Sequence, residues 1–89
     1  MATRSYAAGV NPLVVFRNDG ELAIEFTTWQ KDGADQKKIT LGRYATEDVA
    51  TAIADAAKRG IDADVSRGVD LTDELVTQHY HRAHALIVR

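Results

Sequence analysis

The fold is decided by residues 37–61, KKITLGRYATEDVATAIADAAKRGI. This stretch predicts the end of a strand, a tight turn through Gly42, and a helix that begins with Thr46 as N-cap and ends at Gly60. The helix has an alanine-rich apolar face at helical spacing, formed by Val49, Ala52, Ile53, Ala56 and Ala57. Because its side chains are small, this face allows the helix axis to approach a sheet closely.

Two more strands are predicted before this stretch. Residues 13–16 form a short apolar run after Pro12, and residues 18–20 (NDG) are typical of a hairpin turn. Residues 21–29 alternate with the period of a half-buried strand. The positions of this strand that should point inward are Leu22, Ile24 and Phe26. A third strand is predicted at residues 36–43, with Ile39 and Leu41 pointing inward. Three antiparallel strands of this size need a helix to cover their apolar face.

The rest of the chain predicts an arm at residues 1–11 and a helical extension at residues 62–89, around a core at residues 12–61. A last helix, capped by Asp70 or Thr72, should run to about His84, and residues 85–88 fit either a helix or a strand. Its apolar stripe consists of Leu75, Val76, His79, Tyr80 and Ala83, continued by Leu86 and Ile87. We therefore expect a single α+β domain: a three-stranded antiparallel sheet packed on one α-helix, plus a C-terminal amphipathic helix.

A short phrase occurs twice, at residues 59–62 (RGID) and at residues 67–70 (RGVD). It is consistent with two glycine helix stops, each followed by an apolar anchor and an acidic cap, or with a recognition loop used twice. In the first of these interpretations, residues 63–67 form at most one helical turn between the stops.

Composition excludes several classes of function. The 89 residues carry a net charge of −2 and no cysteine, and no apolar run approaches the length of a membrane helix. Residues 1–45 hold six basic and five acidic side chains, and residues 46–89 hold five and eight, so a basic surface could only come from the first half. No nucleophile or phosphate-binding motif is present. We expect a cytoplasmic protein without membrane contact, without enzymatic activity and without a cofactor.

Histidines and a tryptophan are the remaining candidates for binding chemistry. His81 and His84 share a helical face, whereas His79 lies on the apolar stripe, so the three cannot converge on one metal ion and we predict no metal site. Trp29, the single tryptophan, alternates to the face opposite Phe26. It is placed either to bind a partner or to be covered by the arm or the last helix.

The order of three strands and one helix, with residues 38–44 (KITLGRY), an acidic helix start and residues 59–62 after the helix, resembles the arm-type DNA-binding domain of phage integrases, which are tyrosine recombinases. Plant ethylene-response-type domains have a similar plan. The resemblance covers about residues 12–63 and implies a small module of phage or mobile-element type whose sheet enters the major groove of double-stranded DNA. It implies groove-facing positions at Arg17, Thr27, Trp29, Lys38 and Thr40, and phosphate contacts at Lys31, Lys37 and Arg43.

The alternative is a protein-interaction or dimerisation module, a phage or host regulatory protein that keeps the fold without binding nucleic acid. Glu21 and Glu25 fall on the face that the resemblance assigns to DNA, where carboxylates would repel phosphates. A homodimer or a host protein would then be bound by an exposed strand edge or by the last helix, through Leu75, Val76, His79, Tyr80, Ala83, Leu86 and Ile87. The two functions differ in where Glu21 and Glu25 point relative to Lys38.

Overall fold

The computed structural model describes residues 9–28 and 35–88 of the chain. In chain order it contains the strands β1 (Val10–Phe16), β2 (Leu22–Thr28) and β3 (Gln36–Gly42), then the helices α1 (Glu47–Ser66) and α2 (Asp73–Ile87). The strands form one antiparallel sheet in the order β1-β2-β3. This arrangement confirms the predicted α+β fold with a three-stranded antiparallel sheet, a helix and a C-terminal helix.

The first strand begins earlier than the sequence predicted. Val10 and Asn11, which we assigned to the arm, belong to β1, and Val10 is fully buried in the core. Pro12 is therefore the third residue of the strand. Because β1 is an edge strand, a residue without an amide donor is tolerated there. The predicted turn at residues 18–20 is confirmed, with Gly20 at a φ of +87°.

The alternation of β2 is confirmed: Leu22, Ile24 and Phe26 are buried and point toward the helices. The register of β3 on β2 shifts at one point, since Leu22 lies opposite Gly42 while Ala23 lies opposite Thr40. This leaves an extra residue, Leu41, which makes a β-bulge and is buried in the core.

Helix α1 starts as predicted. The side chain of Thr46 accepts a hydrogen bond from the Val49 amide at 3.2 Å, and Glu47 and Asp48 place negative charge at the positive end of the helix dipole. Its buried face differs in part from the prediction, because Ala52 is exposed. The residues that are buried are Ala50, Ile53, Ala54, Ala57 and Ile61.

The predicted helix end at Gly60 is wrong, because α1 continues without interruption to Ser66. Gly60 serves a different purpose: it leaves room for the His79 ring of α2. A Cβ built on Gly60 would lie 2.9 Å from His79 Cε1 and closer still to Nδ1. The glycine that ends the helix is Gly68, at a φ of +92°, where its amide donates to the Val65 carbonyl.

Helix α2 packs beside α1, which in turn packs on β1 and β2. Of the two N-caps that the sequence left open, the structure selects Thr72, whose hydroxyl accepts from the Leu75 amide at 3.1 Å. The helix continues to Ile87, which settles residues 85–87 as helical. An ion pair of 3.9 Å between Lys37 and Asp73 joins the first turn of α2 to β3. The two helices therefore share one side of the sheet.

Candidate interaction surface

The side of the sheet that faces away from the helices, called here the outer face, is assembled by the strand register. Residues directly opposite each other in an antiparallel pair point to the same side. The outer face therefore consists of Ala23, Glu25 and Thr27 in β2, with Asn11, Leu13 and Val15 in β1 and Gln36, Lys38 and Thr40 in β3. Ala23, the smallest of these, is fully buried between its two neighbours, and most of the β1 and β3 members are exposed.

An ion pair occupies the centre of the outer face. Glu25 and Lys38 are direct partners in the β2–β3 register, and Lys38 Nζ lies 3.1 Å from Glu25 Oε2. The lysine that the resemblance assigns to DNA thus shares its face with a glutamate that neutralises it. Thr27 and Thr40 lie on the same face, half-buried and exposed respectively.

Two of the other basic candidates, Lys37 and Arg43, are not brought to this face. Lys37 lies opposite Phe26 and extends toward the helix side, where it pairs with Asp73. Arg43 follows β3 in the turn and pairs with Asp19 of the β1–β2 loop at 3.6 Å. Arg17, in contrast, is exposed at the end of β1, where it continues the ladder opposite Glu21 with the same alternation as Leu13 and Val15. Trp29 and Lys31 lie outside the residues that the structure describes.

The sequence suggested an exposed strand edge as a binding element but did not say which strand provides it; the structure points to β1. β1 is an edge strand with no charged residue in its sequence, VNPLVVF, and two of its large apolar side chains are exposed, Leu13 at 58% and Phe16 at 64%. Natural proteins usually protect an exposed edge with charges, prolines or bulges, and Pro12 is the one such device in β1. In the sequence, the uncharged residues 10–16 before the hairpin turn could have indicated this strand as a binding edge.

Most of the residues predicted to form an interface on α2 are buried within the protein. Leu75, Val76, His79, Tyr80 and Ala83 are buried against α1 and the core. At the end of the stripe, Leu86 is 65% exposed and Ile87 is half-buried. A partner could reach the five buried residues only if α2 left its position, so we do not include them in the interaction surface.

A partly buried contact between His79 and Asp64 joins the two helices. His79 Nε2 lies 2.6 Å from Asp64 Oδ2, and the other carboxylate oxygen of Asp64 binds Arg67. An ionised carboxylate can only accept, so Nε2 carries the hydrogen. This hydrogen bond lowers the pKa of Asp64; partial burial opposes the shift, and the charges of His79, Arg67 and Arg82 reinforce it.

The lowered pKa of Asp64 predicts how stability responds to acid. The carboxyl group of Asp64 binds a proton less tightly in the folded protein than in the unfolded chain. The contact with His79 therefore stabilises the fold fully above the ordinary pKa of 3.8, and this stabilisation is lost as the pH falls through the lower folded-state pKa. We expect the urea midpoint of Asp64→Asn to fall less than that of the wild type between pH 5 and pH 2.5. Asp55→Asn, an exposed position on α1, is the control and should keep the wild-type pH dependence.

The two remaining histidines, His81 and His84, lie beside the ring of Tyr80. His81 is exposed, and His84 Nε2 lies 3.2 Å from the Tyr44 hydroxyl. Burial, together with nearby Tyr44, raises the pKa of Tyr80 beside them. Within residues 9–28 and 35–88, no group of three His, Asp or Glu side chains is placed to hold a metal ion.

No family model, curated protein or solved structure matches this chain. The resemblance to integrase arm-type domains therefore stays a prediction. In the part of the chain that the structure describes, no helix is both long enough and apolar enough to cross a membrane. What the chain presents is a small two-layer α+β domain with an uncharged edge strand and an outer face whose central charges are paired.

Proposed function

We propose that this protein is a non-enzymatic protein-interaction module that binds its partner through β1 and the adjoining outer face. The observation that carries the proposal is the edge strand β1, which has no charge and exposes Leu13 and Phe16. Beyond Val10, which is fully buried, the edge of β1 offers backbone donors and acceptors that another strand can complete. Exposed apolar side chains on that same strand add the burial that makes such pairing favourable.

The charge distribution supports a protein partner over nucleic acid. Affinity for DNA depends on lysines and arginines that are available to neutralise phosphates. Among the described members of the predicted DNA set, Lys37, Lys38 and Arg43 each have a carboxylate partner. The carboxylate of Glu25 would also meet the phosphates on the same face. A DNA-binding module of integrase type is consequently the second candidate, favoured by the open outer face of a three-stranded sheet.

Two binding measurements separate the candidates. The first is fluorescence anisotropy with labelled mixed-sequence duplex DNA over a salt series. We expect no salt-dependent binding at low ionic strength. Binding that weakens with a log–log slope of about −0.9 per phosphate contact would contradict the proposal and favour the DNA-binding module.

The second measurement tests the proposed surface directly, by selecting a displayed library of random peptides on the immobilised protein. We expect enrichment of extended, β-branched sequences that bind the wild type, and a loss of at least about tenfold in affinity with Leu13→Lys, because the new charge must be desolvated at the edge. Thr40→Lys adds the same charge to the outer face on β3 and is the matched control. Equal loss in both variants, or none in either, would contradict the assignment to β1.

A further inference from the structure

We infer that the partner bound by β1 is an extended segment of another protein that carries a carboxylate opposite Arg17 and apolar residues opposite Phe16 and Leu13. The inference rests on the proposed function, since it takes β1 as the binding edge. It adds the chemistry of the partner and the position of each partner residue along the strand.

Only part of the β1 edge is available for pairing. Val10 is fully buried, and Gly9 before it is buried as well, so a partner strand must end before this point. The Arg17 amide donates to the Glu21 carbonyl, and hydrogen-bonded pairs alternate along an antiparallel ladder. The backbone groups of residues 13 and 15 therefore bond to β2, whereas those of residues 12, 14 and 16 face the open edge.

The open segment keeps both donors and acceptors. Its donors are the amides of Val14 and Phe16, and its acceptors are the carbonyls of Pro12, Val14 and Phe16. The missing amide hydrogen of Pro12 removes no bond to β2, which explains how a proline is accommodated at the third position of this strand. A partner strand of about six residues, opposite residues 12–17, fits this segment and has an ordinary length.

The two exposed apolar side chains of the segment lie on opposite sides of the sheet. Leu13 lies on the outer face, whereas Phe16 lies on the helix side, opposite the buried Leu22. Side chains of a partner strand also alternate between the two sides. One apolar residue of the partner can therefore cover Leu13 and another can cover Phe16.

Arg17 adds a positive charge at the open end of this edge. Of the basic residues that the structure describes in the sheet and its loops, Lys37, Lys38 and Arg43 pair with carboxylates and Arg17 does not. Arg17 is exposed and alternates to the outer face with Leu13. An unpaired arginine next to an uncharged strand complements a partner that is apolar except for one carboxylate.

Glu21 leaves Arg17 available to this carboxylate. It lies opposite Arg17 across the ladder, yet these two described side chains form no ion pair. A partner carboxylate would lie on the other side of Arg17, two strand spacings or about 9.5 Å from Glu21. Because the arginine lies between the two carboxylates, its attraction outweighs their more distant repulsion.

The same charge disfavours the other candidate partners. Residues 10–17 contain no carboxylate, so a second copy of β1 would have nothing to place opposite Arg17. Binding of duplex DNA draws on several free basic residues, and the described lysines and arginine listed above are already paired. A protein segment with one acidic residue is the partner that matches both the charge and the apolar strand.

Antiparallel pairing fixes the order of the partner residues. It is slightly more stable per residue than parallel pairing and continues the pattern of the sheet. The outer-face residues then form the non-hydrogen-bonded pairs, in which side chains are closest. Read from its N-terminus, the partner has an acidic residue opposite Arg17, an apolar residue next, opposite Phe16, and a second apolar residue three positions later, opposite Leu13.

The inference is tested with two fluorescently labelled peptides, EVTVLT and KVTVLT, which differ only in the charge of the first residue. They are titrated with the full-length protein at low ionic strength and followed by fluorescence anisotropy. We expect the wild type to bind the glutamate peptide at least about threefold more tightly than the lysine peptide. Arg17→Glu should reverse this preference. Arg17→Gln, which places no second carboxylate beside Glu21, should abolish it.

Arg59→Glu is the matched control, because Arg59 is exposed on α1 and the substitution changes the net charge equally. It should keep the wild-type preference. The same preference in wild type and Arg17→Glu, or an equal change in Arg17→Glu and Arg59→Glu, would overturn the inference. The peptide LVTVET has the same composition as EVTVLT and would make the same contacts as a parallel strand. Tighter binding of LVTVET would overturn the antiparallel order.

Failure of this inference can be told apart from failure of the proposed function. Library-selected peptides that are lost with Leu13→Lys, but bind wild type and Arg17→Glu equally, would overturn the acidic partner and leave β1 as the binding edge. Binding of selected peptides without binding of EVTVLT would overturn it in the same way. A chain that binds no peptide, and binds duplex DNA in a salt-dependent way, would remove the proposed function itself.

Discussion

Replacing Phe26 by alanine is expected to lower the free energy of unfolding by about 3–5 kcal/mol, the largest effect of any single substitution considered for this chain. Phe26 is fully buried at the centre of β2 and is the largest side chain with no exposure. Truncation removes its apolar burial and leaves a cavity that a sheet strand, bonded on both sides, cannot close by moving. A domain of this length typically has about 4–13 kcal/mol of stability in total. The variant should therefore lose a large share of the stability of the domain, which a urea titration would show as a lower midpoint.

The chain supplies its own control, because Phe16 is its other phenylalanine and is 64% exposed. Phe16→Ala removes the same atoms and should change the urea midpoint little when measured by circular dichroism at low protein concentration. Similar losses of stability in the two variants would contradict the placement of Phe26 in the core and of Phe16 at its exposed margin.

The parts of the fold that sequence could predict depend on short-range chemistry. The Thr46 cap, the Gly20 turn and the alternation of β2 each follow from a few neighbouring residues, and the structure confirms all three. The face of α2 was also predictable, since helical spacing alone places its five buried residues on one stripe. The local structure that such short sequence patterns predict is kept in the fold because the tertiary contacts favour the same structure.

The candidate surface was less predictable, because it depends on which strands become neighbours. Alternation placed Glu25 on the outer face, but only the β2–β3 register brings it to Lys38. Likewise, the sequence of β1 shows that it is uncharged, and only the strand order shows that it lies at an edge. The earlier start of β1 at Val10 has the same origin, since the pairing of Val10 with Thr28 draws it into the sheet.

Gly60 shows how a local signal can be overridden by a contact from another element. Lys58, Arg59 and Gly60 make a typical helix C-terminus, yet α1 continues because the glycine faces α2. In the middle of a helix, glycine is less favourable than alanine by about 1 kcal/mol. Glycine is nevertheless required at position 60, because the His79 ring occupies the space where a Cβ would be. That ring is 8% exposed and is hydrogen-bonded to Asp64.

Gly60→Ala is therefore expected to destabilise the protein by up to about 2 kcal/mol, although alanine has the higher helix propensity. Overpacking a fixed neighbour costs about 1–3 kcal/mol, and the gain in propensity returns about 1 kcal/mol of this. The ring cannot move aside freely, because a shift would break its hydrogen bond to Asp64. Ala63→Gly, an exposed position one turn further along α1, measures the propensity term alone and should lose about 1 kcal/mol.

The decisive comparison is the same substitution made in a His79→Ala background. His79→Ala alone should destabilise the protein, since it removes the contact between the helices and leaves Asp64 without its partner on α2. Without the ring, however, the Cβ at position 60 has room, so Gly60→Ala should now stabilise the protein by about 1 kcal/mol. This reversal of sign in a double-mutant cycle isolates the packing of one imidazole on one glycine. If Gly60→Ala had the same effect in both backgrounds, the packing of the His79 ring would not explain the glycine. The proposal that α1 and α2 approach closely at this point would then be wrong.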